Sequence, residues 1–258
     1  MKIDIISFNI RYCDDPNGNS IAERAPRLSR ITSLYNADVI GFQEYYTPRW
    51  DAHIQTYYGD RYDMFIKHRA EADFEATPIL WRKDRFDCLK TGYFWFSDTP
   101  EVESRGWDER FNCYRMCAYA VLQDKASKEI FTFMNTHFGF GDKGQTDSAK
   151  LMYAYCKKIS DYPTVIVGDF NMSPDSAGYR AMIENFTDVN AVTAKDWRST
   201  YHGYDPERYT NEHIDYCFVD DKVTPIDQKI IDDLDDGAFP SDHYGLHIKL
   251  EIYQNIEK

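Results

Sequence analysis

The stretch KIDIISFNIRYCDDPNGNSIAERAPRLSRITSLYNADVIGFQE, residues 2–44, decides the fold. Residues 2–8 and 38–43 are runs rich in β-formers and read as buried strands. The segment IAERAPRLSRITSLYN between them carries apolar residues at helical spacing around Ile21, Leu28, Ile31 and Leu34. This is a strand-helix-strand unit, and a polar residue stands at the end of each strand, Asn9 after the first and Glu44 after the second.

Outward from this unit the same alternation continues. A helix is expected from Thr47, with Pro48 suited to its first turn, followed by strand-like YDMFIKH and ATPILWR. From Phe94 to His137 the chain is β-rich: FWFS, then YRMCAYAVLQD and EIFTFMNTH joined at DKASKE, a hairpin turn. The run Arg82 to Arg85 reads as a solvated turn. A helix over 145–160, the strand TVIVGD and a short helix after Pro174 come next. A polar loop from Asp196 to Glu212 then leads to strands HIDYCFV, VTPIDQKII and HYGLHIKLEIY. One sheet could hardly hold so many strands, so the expectation is an α/β sandwich in a single domain, 1–258, with two sheets face to face and helices outside.

Composition narrows the function. Thirty basic against 43 acidic residues give a net charge of −13, which repels a polyanion at long range and disfavours generic nucleic-acid binding. No export signal is visible and no apolar run has the length of a membrane span, so a cytoplasmic protein with no membrane or protein partner is expected. The six cysteines, Cys13, Cys88, Cys113, Cys117, Cys156 and Cys217, show no zinc-type spacing and read as reduced core residues.

Five polar clusters lie at the ends of expected strands: Asn9 in SFNIRY, Glu44 in GFQE, His137 in NTH, Asp169 and Asn171 in GDFN, and Asp242 with His243 in SDH. Loops leaving a rigid sheet are where catalytic groups usually lie. Each cluster alone is an ordinary turn; their joint occurrence in this order is specific. With HIDYCFV, the set resembles the endonuclease/exonuclease/phosphatase superfamily, which has a DNase I-like fold, from Asn9 to His243. FWFSDTPEVESRGWDERFNCYR resembles a bacterial branch near the nocturnin-like and carbon catabolite repressor-type deadenylases. The resemblance implies a four-layer αββα sandwich with two mixed sheets. Two departures stand out. Phe138, Gly139, Phe140 and Gly141 follow NTH where relatives carry an Asp-His pair, and His213 precedes Ile214 where an Arg is common.

The resemblance also implies roles. Mg²⁺, with Mn²⁺ as a substitute, prefers oxygen donors and needs only one or two carboxylates beside substrate phosphate. Glu44 is the first ligand expected, with Asp242 sharing the metal and Asn9 steadying both. Asp169 orients or deprotonates the attacking water, Asn171 binds a non-bridging oxygen, and His137 donates to the scissile phosphate. Asp215 and His243 form a dyad, and either His243 or Asp169 is the base. Arg105, Trp107, Arg115 and His202, with Glu75, are candidates for gripping substrate.

The expected activity is hydrolysis of a phosphodiester, in a nucleotide, short RNA or other small molecule. The alternatives are a phosphomonoesterase of the inositol-phosphate type and a scaffold that has lost catalysis. The acid and histidine residues required for turnover are all present, which argues against the scaffold.

Overall fold

In the computed structural model, which describes residues 1–253, the elements follow in chain order. The first half holds β1 (Lys2–Asn9), α1 (Ile21–Ser33), β2 (Val39–Gln43), β3 (Tyr45–Tyr46), α2 (Thr47–Tyr58), β4 (Tyr62–Phe65), β5 (His68–Ala70), β6 (Asp73–Ala76), β7 (Ile79–Arg82) and β8 (Phe86–Trp95). The second holds β9 (Met116–Asp124), β10 (Ile130–His137), α3 (Asp142–Ile159), β11 (Thr164–Asp169), α4 (Ala177–Ile183), β12 (Thr187–Asp188), α5 (Val189–Val192), β13 (Asp215–Val219), β14 (Val223–Ile231) and β15 (Gly245–Ile252).

Two six-stranded sheets result, ordered β14-β15-β1-β2-β7-β4 and β12-β13-β11-β10-β9-β8. Each is mixed, because β1 and β2 run parallel in the first and β10 and β11 in the second, among antiparallel neighbours. Alternation along each strand sends one set of side chains inward. Ile3, Ile5 and Val39 from one sheet meet Phe131, Phe133 and Val165 from the other. The opposite faces are covered by helices: Ile21, Leu28 and Ile31 of α1 and Trp50 of α2 pack on the first sheet, Met152 of α3 and Met182 of α4 on the second. These are the four layers of an αββα sandwich.

Local chemistry fixes the ends of these elements. Ser20 and Glu23 form a reciprocal capping box that starts α1. Gly41 lets the sheets approach: a side chain there would meet Val167 Cγ2 at 2.8 Å and Asn135 Cγ at 2.9 Å. The space beside it holds polar groups instead, Gln43 Nε2 donating to Asn135 Oδ1 (2.7 Å) and Asn135 Nδ2 to the carbonyls of Phe42 and Pro78. The donors of this buried cluster are partnered, as an interior requires, while Gln43 Oε1 has no partner among the described residues.

Several expectations need correction. β8 begins at Phe86 rather than Phe94. Its middle is exposed on the sheet edge and a register shift between Cys88 and Lys90 breaks the alternation, so periodicity does not reveal it. β3, β6 and β5 form an unanticipated three-stranded sheet. The 82–85 turn is more than solvated surface, since Arg85 ion-pairs with Asp38 and lies 2.9 Å from Asp124, two buried carboxylates. Of the cysteines, Cys117, Cys156 and Cys217 are buried as expected, but Cys88 is exposed and Cys13 and Cys113 are half-buried. Among the described residues no helix is long and apolar enough to cross a membrane.

Candidate active site

The register of the sheets carries three side chains to one place. His137 at the end of β10 pairs with Asp169 at the end of β11, which pairs in turn with Asp215 at the start of β13. The row therefore crosses three adjacent strands. From the facing sheet, Asn9 closes β1 and Glu44 follows β2, with Asn9 paired to Gln43. The segment holding Asp242 and His243 precedes β15, and Ser241 Oγ donates to the carbonyl of Asn9 (2.6 Å). Nine-tenths or more of Asn9, His137, Asp169, Asp215, Asp242 and His243 is removed from solvent.

Asn9 Nδ2 donates to Asp169 Oδ2 at 3.0 Å and to Glu44 Oε1 at 3.2 Å, and thus ties the two sheets' acids together. Glu44 has φ +55°, a left-handed conformation uncommon for a residue with a side chain. Its carboxylate also accepts from the backbone N–H of Tyr12 (3.1 Å). Arg11, another left-handed residue, lies 3.5 Å from Asp242 and 4.0 Å from Glu44. Buried Arg24 holds the loop that carries Arg11, donating to the carbonyls of Ile10, Arg11, Cys13 and Asn19. Trp50 Nε1 adds a bond to the Arg11 carbonyl.

His243 Nδ1 is 3.0 Å from Asp215 Oδ2, and Nε2 is 3.8 Å from Asp169 Oδ2. Burial alone would lower the imidazole, but the Asp215 carboxylate and its hydrogen bond, together with Asp169 and Asp242, outweigh it and raise it to about 10. Burial and the Asp215 charge raise the Asp169 carboxyl, opposed by His243 and by hydrogen bonds from the Asn171 N–H and Asn9. Burial, then the Arg115 and Arg69 guanidinium groups, hold His137 well below its usual value. Asp242 is raised by burial and by Glu44, against the opposing pull of His243 and Arg11.

The donor set suits a hard divalent cation. Glu44 and Asp242 bring carboxylate oxygens to one corner where Arg11 stands as counter-charge to both, and their mutual repulsion would be relieved by a further cation. Asp169, Asp215 and His243 also place donor atoms within 4.8 Å of one another. Because Asp215 already holds His243 Nδ1 at hydrogen-bond distance, that trio is better described as a dyad beside a carboxylate, Asp169, that accepts from Asn9 and the Asn171 N–H.

Glu44, His137, Asp169, Asp242 and His243 line a cavity of about 650 Å³, whose wall does not include Asn9 or Asp215. Asn171 lines it too, in a left-handed conformation with its N–H on Asp169 Oδ1 and Nδ2 on the Phe138 carbonyl. Arg115 and Glu75 reach the cavity. Arg115 is bound to Asp108 through Nε (2.9 Å), and its buried Nη1 has no partner.

Three proposed grips are not in the cavity wall. Arg105 binds the Asn112 carbonyl and stacks on Tyr114, Trp107 Nε1 meets Asp98 at 3.3 Å, and His202 is buried against Phe239 and Tyr244. His202 faces inward while its neighbour Tyr201 turns toward the site, its ring 5.0 Å from that of His243. The wall also includes Arg11, Tyr12, Arg69, Tyr201 and Tyr209, which sequence reasoning missed. Arg11 lay inside SFNIRY, in view but unassigned. Phe140, from the loop that departs from the superfamily pattern, lines the cavity, whereas Phe138 is core.

Known proteins share this chain's fold and family. A protein of Acanthamoeba polyphaga mimivirus without characterised function is 28% identical over 157 residues, covering 57% of this chain and 58% of that relative's length. A Bacteroides vulgatus structure of an endonuclease/exonuclease/phosphatase is 27% identical, with TM-score 0.88 and coverage of 98% of this chain and 100% of that one. The mannosyl-6-phosphatase of Bacteroides thetaiotaomicron is 25% identical, with TM-score 0.85 and the same coverage of both chains. Residues 6–243 match the Endonuclease/Exonuclease/phosphatase family, and with the αββα sandwich and the convergence of its strand ends on one acid and histidine cluster, the chain belongs to that family.

Proposed function

We propose that the protein is a divalent-metal-dependent hydrolase of phosphoric esters, most simply a phosphodiesterase acting on a nucleotide, a short RNA or another small phosphodiester. The observation that carries this reading is the meeting of Glu44, Asp242, His137, Asp169 and His243 around one cavity of about 650 Å³. That volume is typical of a small-molecule site. The net charge of −13 points the same way, because a long polyanion is repelled before it reaches the cleft.

Glu44 and Asp242 are the residues that would hold Mg²⁺, or Mn²⁺ in its place. Bound there, the metal would supply Lewis acidity and neutralise charge developing on the phosphoryl group and leaving oxygen. Asn9 keeps Glu44 and Asp169 at fixed separation. Asp169, with its proton affinity raised toward neutrality, accepts a proton from the attacking water. His243, charged and backed by Asp215, presents Nε2 to phosphate as a cation. His137 and Asn171 would donate to non-bridging oxygens, where fixed dipoles in a dry cleft stabilise a developing anion most.

A second reading, phosphomonoester hydrolysis, is favoured by the full-length similarity to a mannosyl-6-phosphatase. The carboxylates of Glu75 and Glu212 in the same wall could accept hydroxyl donors of a sugar. Hydrolysis of bis-p-nitrophenyl phosphate, p-nitrophenyl phosphate and hexose 6-phosphates after EDTA treatment, with Mg²⁺ or Mn²⁺ restored, separates these outcomes. Metal-dependent turnover of the diester supports the first reading and turnover of monoesters alone supports the second. No turnover of any ester would leave the scaffold.

A further inference from the structure

Arg69 is buried, 4% exposed, and its side chain enters the cavity wall from β5. It does so at a fault in the strand pairing: His68 faces Ala76 and Ala70 faces Asp73, so the register shifts across Arg69. Irregularities of this kind re-aim a side chain. Trp95 Nε1 donates to the Arg69 carbonyl at 2.7 Å and holds the backbone in that position.

Inside the wall the guanidinium has two partners. One Nη ion-pairs with Glu75, and the same nitrogen lies 3.1 Å from His137 Nδ1 in a fully buried contact. A guanidinium has donors and no acceptor. The contact is therefore attractive only if Nδ1 offers a lone pair, which puts the ring proton on Nε2. Glu75 itself stands 3.7 Å from Nδ1, beyond hydrogen-bond distance, with Arg69 occupying the nearer place. At the other side of the ring, Nε2 is 3.4 Å from Asp169 Oδ2, on the side where phosphate would enter.

We propose that Arg69 is a positioning residue that fixes His137 as the neutral Nε2–H tautomer, so that His137 serves as a hydrogen-bond donor to the phosphoryl group and not as a base. Without Arg69, the Glu75 carboxylate would draw a proton to Nδ1, and the ring could then turn a bare Nε2 toward the phosphate oxygens. Glu75 supports the arrangement indirectly by holding the guanidinium in place. The inference about the phosphoryl group rests on the hydrolase reading above; the tautomer itself does not.

The test is a two-bond ¹H–¹⁵N correlation spectrum of the histidine rings at neutral pH, with His137 assigned by His137→Gln, beside steady-state kinetics of Arg69→Met and Arg69→Lys. In the wild type we expect Nε2 protonated and Nδ1 bare. In Arg69→Met we expect a proton on Nδ1 and a fall in kcat on the order of 10²-fold, the loss typical of one misdirected donor, with KM changing much less. Arg69→Lys, which keeps a buried cationic donor, should recover part of the rate. A wild-type ring protonated on Nδ1, or on both nitrogens, overturns the proposal, and so does Arg69→Met with an unchanged ring and unchanged kcat. If Arg69→Met does not fold, the wild-type ring state decides alone. Absence of turnover by the wild type would sink the hydrolase reading while the ring state still judged the tautomer.

Discussion

His137 and Asp169 stand opposite one another in the parallel pairing of β10 with β11, and their side chains close to 3.4 Å at the strand ends. Neither residue owes its place to a loop. Each terminates a strand whose preceding residues are buried, so the rigidity of the sheet passes directly to both side chains.

Asp169→Asn is expected to lower kcat by a factor on the order of 10² to 10⁴, the range for losing a positioned acid-base group. The amide keeps the shape and can still hydrogen-bond, so urea unfolding should show a stable, folded variant. A rate within threefold of wild type on the best ester would remove Asp169 from the role of base.

Asp215 does not line the cavity, yet its substitution should be costly because it holds His243. Asp215→Asn is expected to lose on the order of 10- to 100-fold in kcat, as partners of catalytic side chains do. Combined with His243→Ala it should add little, since the two act as a unit. Losses that multiply in the double variant would show two independent roles.

Burial holds His202 below its ordinary range, at about 4. The unfolded chain takes up a proton near pH 6.5 and the folded one does not, so stability is complete above pH 6.5 and falls as pH drops toward 4. The linkage is worth about 3 kcal/mol over that interval. His202→Phe, which keeps a ring between Phe239 and Tyr244, should flatten this part of the acid limb in urea titrations at pH 7 and pH 5. Equal acid sensitivity in the variant would count against it.

Gly41→Ala should cost about 1–3 kcal/mol through overpacking between the sheets, because the new methyl meets Val167 and Asn135. Activity should fall as well if the sheets must separate to admit it. Thermal unfolding beside kcat measures both; a variant as stable as wild type would show that the sheets adjust freely.

The strand ends were legible in the sequence. Asn9, Glu44, His137 and Asp169 each follow a run that only a buried strand explains, and their order along the chain carried the family resemblance. The dyad was read from the family resemblance of HIDYCFV and SDH, and the structure brings Asp215 to His243 at 3.0 Å. The irregular segments were harder to read. Tyr201 and His202 are adjacent, and without a strand's alternation to consult nothing indicates that the tyrosine faces the site and the histidine the interior. Arg105 and Trp107 lie in a similar stretch and turn to local partners, Asn112 and Asp98. Arg69 was hidden for another reason: the register shift that aims it inward leaves no periodic trace.

The close contact of the sheets at Gly41 lies just before Gln43 and Glu44, and Asn135, on the other side of it, just before His137. Asn9, Glu44 and Asp242 belong to one half of the sandwich and His137, Asp169 and Asp215 to the other. A slide of one half along the other would part the acids proposed to hold the metal from the carboxylate proposed to take the proton, with every strand still intact. Catalytic alignment in this protein is therefore a property of the seam, and variants that loosen the seam can silence the enzyme while leaving it well folded.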